Sequence, residues 1–165
     1  MFEINQLLPQ DICLKCDGCC RFAQEESTWQ PALLDAEIKI ICKDNLLKQS
    51  ISPSKKIKSI PYKEGFICSC FDVGNNRCKI YNIRPLECRL YPFLINRSKE
   101  KTYLAVDLNC PYIKDKLEDK DFKDYVNYLI NFFNLRSVSS AIKQNPRTFK
   151  DYKEDKVKNL SELVF

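Results

Sequence analysis

The clearest periodicity in the chain lies between residues 121 and 135. Phe122, Tyr125, Val126, Leu129, Ile130 and Phe133 fall there at i, i+3, i+4, i+7, i+8 and i+11. That spacing gathers the apolar positions into one wide stripe and predicts an amphipathic helix with the stripe turned to a core. A second helix is expected from Asp35, a residue suited to capping, through Glu37 to about Lys48, with Ile38, Ile41 and Cys42 on one face. Cys42 is then a core residue, not a ligand. A last helix over about 148–163 would offer Phe149, Tyr152, Leu160 and Leu163 to the same core. Elsewhere the pattern shortens. Residues 57–60 and 65–70 read as short strands, and 93–96 and 102–107 as a hairpin across the charged turn at 97–101. Residues 50–56 form a polar linker, and residues 72–76 a loop of turn formers. Pro85 is placed to open a short helix carrying Cys88.

These elements predict an α+β fold: a small cysteine-rich, metal-centred domain of short strands and loops, packed on C-terminal α-helices. One domain is expected over 1–165, with a cysteine-cluster region at 13–111 and a helical tail at 112–165 packing on it. A chain of 165 residues can bury a core of its own, and 44% hydrophobic content with only three glycines opposes disorder. No run approaches the roughly 18 apolar residues of a membrane span. Residues 1–6 show neither a basic segment nor an apolar one, so no signal peptide is read, no membrane is expected, and the expected compartment is the cytoplasm.

Ten cysteines then need a reason in a reducing compartment, where closely spaced thiols read as metal ligands rather than disulfides. The absence of histidine removes mixed Cys₂His₂ sites and every Ser-His or Cys-His catalytic pair, so any metal is held by sulfur, with a carboxylate at most. The first cluster is Cys13-Leu14-Lys15-Cys16-Asp17-Gly18-Cys19-Cys20. Its C-x₂-C turns bring sulfurs onto one centre while leaving backbone N–H groups to bond them. Gly18 permits the close approach or positive φ that such a knuckle uses. Three thiolates at C-x₂-C-x₂-C spacing also match the local part of a [4Fe–4S] site. Side chains of the adjacent Cys19 and Cys20 diverge, which suits two centres, or one cluster with an outer thiol, better than one tetrahedral ion. The remote set is Cys68, Cys70, Cys78, Cys88 and Cys110, the last followed by Pro111 as where a distant ligand closes a ferredoxin-type site.

The formal charge of +5 changes once the thiolates are counted. Eight thiolates on two Zn²⁺ leave about +1, and four on one [4Fe–4S]²⁺ about +3. Lysines are also dispersed along the chain, so nucleic acid is not the expected partner. Arg84 and Arg89 flank Cys88 and can balance the negative charge of a four-thiolate centre. The other reading gives them an anionic substrate or cofactor.

The segment Cys78-Lys79-Ile80-Tyr81-Asn82-Ile83-Arg84-Pro85-Leu86-Glu87-Cys88-Arg89-Leu90-Tyr91-Pro92, taken with the N-terminal CxxCxxCC, resembles the zinc- or iron-chelating cysteine-cluster family (YkgJ-like). The likeness covers about residues 13–111 and rests on many fixed spacings together. It implies ligand roles for Cys13, Cys16, Cys19, Cys20, Cys70, Cys78, Cys88 and Cys110. Cys70-Phe71-Asp72 is a reduced form of the family's C-x-F-L, which leaves Cys68 and Cys70 as alternatives for that ligand.

The cofactor expected is an iron–sulfur cluster, of 4Fe–4S type first, or Zn²⁺. Three functions stay open on this reading. One is a metal-binding protein with a structural, redox or metal-handling centre. Another is a protein-modifying enzyme, since the family is similar in part to a flagellin lysine N-methylase. The third is a zinc-ribbon-like interaction module with a protein partner. With Gly18, Gly65 and Gly74 as its only glycines, the chain lacks a glycine-rich loop for S-adenosylmethionine. No reaction or catalytic residue is assigned.

Overall fold

The computed structural model describes residues 2–16, 18–153 and 155–165. The chain divides into two compact units, Leu8–Arg89 and a second formed by Phe2–Leu7 with Leu90–Phe165. Helices and small antiparallel sheets occur together, as an α+β chain requires. No helix among the described residues is long and apolar enough to cross a membrane.

The first unit is built from short pieces. Helix α1 (Gln10–Lys15) carries Cys13, and a single 3₁₀ turn (Gly18–Cys20) carries Cys19 and Cys20. The chain then enters β1 (Arg21–Phe22), which pairs with β3 (Gly65–Cys68), itself paired with β2 (Ser59–Tyr62). Both pairings are antiparallel. Glycine is required in β3, because a Cβ on Gly65 would stand 2.9 Å from the Phe22 carbonyl oxygen. A tight hairpin follows, β4 (Phe71–Asp72) against β5 (Arg77–Cys78). The Asp72 carboxylate accepts the N–H groups of Gly74 and Asn75 across the turn, a side chain standing in for strand partners.

The helix expected through Lys48 is two helices, α2 (Asp35–Ile41) and α3 (Asn45–Lys48). Asp44 interrupts it: its carboxylate accepts the N–H groups of Leu46 and Leu47 and begins a new turn. Asp35 does not cap α2. Leu34 occupies the cap position, and its N–H is taken by the Glu37 carboxylate at 2.9 Å. Cys42 is half-buried at the end of that helix. As expected, Pro85 precedes a short helix, α4 (Leu86–Leu90), that carries Cys88. The core of this unit holds Phe22, Leu33, Ile41, Ile57, Ile67 and Phe71, with Cys68 and Cys70 among them.

The second unit has longer elements. Strands β6 (Phe93–Ser98) and β7 (Lys101–Asp107) form the expected hairpin. Its turn is shorter than the five-residue charged turn expected at 97–101, because Lys99 and Glu100 both adopt the left-handed conformation that a two-residue loop needs. Helix α5 (Lys120–Asn134) buries Phe122, Leu129 and Phe133 as its stripe requires, and Phe132 in addition. A further helix, α6 (Arg136–Lys143), buries Val138 and Ile142.

The expected last helix is instead a strand, β8 (Val157–Glu162), paired antiparallel with β7. Strand β7 would otherwise present an open edge, and its unpaired N–H and C=O groups outweigh the weak helical spacing of the tail. Two of the residues expected in the core, Tyr152 and Leu163, are nonetheless buried.

Candidate metal centre

Local chain geometry brings the sulfurs of the first unit together from five elements. The knuckle turns at Cys16, where the Gly18 N–H points at the Cys16 Sγ at 3.5 Å. This is the amide-to-sulfur contact expected of a C-x₂-C turn, achieved without a positive φ at Gly18. The β4–β5 hairpin sets Phe71 opposite Cys78, and the Lys79 N–H donates to the Cys70 carbonyl at 2.8 Å, so Cys70 and Cys78 are fixed to each other. Cys68 ends β3, opposite Ser59. Cys20 and Cys78, partly buried, pack against the core cluster that contains Cys68 and Cys70.

Electrostatics reports the same neighbourhood. Burial raises the Cys13 thiol, the Arg84 guanidinium opposes that rise, and Cys19 and Cys16 add to it. Cys88 is pushed far up by burial, then by Cys19 and Cys78, again against Arg84. Burial also raises Cys78, with Cys70 and Cys19 contributing. Cys20 is raised first by its hydrogen bond with Cys19, then by burial and by Cys68 and Cys88. The thiols of Cys68 and Cys70 share a hydrogen bond that lifts Cys68 and holds Cys70 down to about 7. Seven of the eight cysteines carried over from the family pattern, together with Cys68, thus lie in one unit. The eighth, Cys110, is buried in the second unit, its N–H bonded to the Asp107 carbonyl in the turn after β7.

Among the described residues, no three Cys, Asp or Glu side chains already stand as a ready-made ion site. The donor set nevertheless fits a soft cation. Thiols that raise one another need positive charge among them to ionise, and zinc or iron supplies it while converting each thiol to a thiolate.

One such positive charge is built in. Arg84 is 7% exposed, stacks over the Tyr81 ring at 3.7 Å, and places Nη1 3.6 Å from the Cys13 Sγ. It therefore serves the sulfurs, as the sequence suggested. Arg89 has a carboxylate partner as well as a sulfur neighbour: its Nη2 lies 3.7 Å from the Glu37 carboxylate, and Cys88 acts on it electrostatically.

Glu37 is the residue that sequence reasoning missed. It is 2% exposed, and besides the Leu34 N–H it accepts the Leu86 N–H at 2.6 Å, the first amide of the helix that bears Cys88. Glu87 returns the bond by accepting the Ala32 N–H at 2.9 Å. Two carboxylates thus tie the start of α2 to α4 from opposite ends. Burial raises the Glu37 acid, while the two amides and Arg89 hold its charged form. A signal was present in the sequence: Glu37 stands four residues before Ile41, an acidic residue on the apolar face of its helix.

Comparison with known proteins identifies the family. An uncharacterized protein of Methanocaldococcus jannaschii, MJ0661, is 31% identical over 130 residues, which is 74% of this chain and 70% of that protein. No solved structure matches. A family profile described as "CxxCxxCC: Putative zinc- or iron-chelating domain" matches residues 12–111, from the knuckle through Cys110. With those residues making up more than half of its length, the chain belongs to the CxxCxxCC family of zinc- or iron-chelating domains.

Proposed function

We propose that this chain is a metal-binding protein that holds an iron–sulfur cluster, or Zn²⁺, through Cys13, Cys16, Cys19, Cys20, Cys70, Cys78, Cys88 and Cys110. The centre serves structure, electron transfer or metal handling. The observation that carries this reading is the donor set itself: thiols from α1, the 3₁₀ turn, β3–β5 and α4 in one neighbourhood, with Arg84 against Cys13. The three-thiol knuckle supports a [4Fe–4S] cluster, and the number of thiols supports closed four-sulfur zinc sites.

Arg84 and Arg89 bear on the enzyme alternative. A shallow depression of about 300 Å³ runs along residues 77–83. Arg84 is turned to Cys13 and Tyr81, and Arg89 to Glu37, so neither is presented to a substrate there.

Metal analysis of anaerobically purified protein, read with its absorbance spectrum, tests the proposal. Iron with broad absorbance near ~400 nm supports the cluster, and colourless protein with zinc supports the zinc form. Protein that carries neither metal and takes up neither on reconstitution would sink the reading.

A further inference from the structure

Cys110 stands at the end of a turn built around a single carboxylate. Asp107, the last residue of β7, is only 4% exposed. Its carbonyl accepts the Cys110 N–H at 3.3 Å. Its Oδ1 accepts the Asn109 N–H at 2.8 Å and the Asn109 Nδ2 at 2.9 Å. Leu108 donates its N–H to the Lys156 carbonyl at 3.0 Å, and the carbonyl of the buried Cys110 accepts the Ile113 N–H at 3.1 Å. A side chain thus does for residues 108–110 what strand partners do inside a sheet.

Asp107 is anchored in turn to the residues that follow α4. Its N–H donates to the Pro92 carbonyl at 2.9 Å, and its Oδ2 accepts the Tyr91 hydroxyl at 2.9 Å. Tyr91 and Pro92 close the segment that carries the family resemblance, three and four residues past Cys88 in the chain. We propose that Asp107 and Tyr91 are positioning residues for Cys110, fixing the backbone from which its thiol is presented. Three donors occupy the Asp107 carboxylate, so it holds the turn rather than a metal. The inference rests on the metal-binding reading above, in which Cys110 is a ligand, and says what readies that ligand. A remote sulfur must stand within about 0.5 Å of its place, and a loose turn would have to be ordered at the cost of affinity.

Cobalt(II) added to the reduced full-length protein provides the test, since sulfur-to-cobalt charge-transfer absorption reports the thiolates bound. Cys110→Ser should weaken that absorption. Asp107→Ala should move the spectrum in the same direction and lower cobalt affinity about 10–100-fold, the loss typical of groups that orient metal ligands. Tyr91→Phe removes one hydrogen bond, keeps the ring, and should lower affinity by less, roughly tenfold. Asp107→Asn can still accept from Asn109 and can donate to the Tyr91 oxygen, so it should restore the wild-type spectrum. Tyr125→Phe is the control: it removes a tyrosine hydrogen bond from the same unit and should leave spectrum and affinity unchanged.

Should Asp107→Ala fail to fold, Tyr91→Phe decides. Wild-type cobalt affinity and spectrum in Tyr91→Phe overturn the inference even if its melting temperature falls, because a packing role alone predicts that result. An equal loss of affinity in Tyr125→Phe also overturns it, since general loosening of the unit would explain both. So does an unchanged spectrum in Cys110→Ser, which would show metal bound without Cys110. Wild-type protein that takes up no cobalt fails the metal-binding reading itself, and this inference with it, an outcome distinct from the others.

Discussion

The two units solve the problem of holding a chain together with different materials. In the second, strands of six, seven and six residues and helices of 15 and eight residues bury Phe93, Leu104, Phe122, Leu129, Phe133 and Ile142, a hydrocarbon core of ordinary kind. In the first, no strand among the described residues exceeds four residues and three have only two. Its interior gives positions to Cys68 and Cys70 that Leu or Ile would fill elsewhere. Short strands offer few ladder bonds, and each thiol buried in place of a larger side chain forgoes apolar area. The comparison teaches where the missing stability would come from on the proposed function: metal bonded by sulfur completes the first unit, while apolar burial is enough for the second.

Removing the metal breaks the comparison most forcefully. Structural zinc contributes roughly 10 kcal/mol or more to small metal domains. Chelation of the reduced protein should strip amide-exchange protection from β1–β5 and α4, and leave that of β6, β7 and α5 in place. Loss of protection in both sets together, or in neither, contradicts the division of labour drawn above.

Glu37→Gln gives a smaller effect in the same unit. The amide side chain can accept one of the two N–H groups that the carboxylate now accepts, and it loses the charge facing Arg89. A buried donor left unsatisfied costs about 1–3 kcal/mol. Trp29, the single tryptophan, lies in this unit, so its fluorescence follows the first unit during denaturation. The midpoint should fall and zinc should be lost at lower chelator concentration, because α4 and Cys88 are tied less firmly to α2. An unchanged metal affinity would leave Glu37 a packing residue and no more.

Much of the candidate site was legible before the fold was known, because a cysteine cluster is recognised by residue type and spacing. The CxxCxxCC knuckle, the Pro85 helix start and the Arg84 partner of sulfur depend on a few neighbouring residues each. What could not be read depends on distant partners. Strand β8 exists because β7 needs a neighbour, which no window over residues 148–163 contains. Glu37 matters because its carboxylate reaches Leu86, 49 residues away.

The smallest effect sharpens the comparison from the side of the second unit, where Tyr125 is the polar group most altered by the apolar core. Its ring lies 5.2 Å from that of Phe93 and 5.4 Å from that of Tyr128, and its hydroxyl donates to the Asn5 carbonyl. Burial, then the neighbouring Tyr128, raises its pKa above the ordinary tyrosine value of 10. A group whose folded pKa is raised holds its proton longer in the folded state. Its stabilisation is therefore complete below about pH 10 and is lost as pH climbs from there through the folded value. Tyr125→Phe should lower stability at pH 8 by about 1 kcal/mol through the lost hydrogen bond. The same change should flatten the decline between about pH 10 and 12, since phenylalanine has no proton to lose. Denaturation followed by far-ultraviolet circular dichroism at several alkaline pH values reads both effects. An identical alkaline decline in the two proteins would show that ionisation elsewhere opens the second unit, and that its core does not meet alkali first at Tyr125.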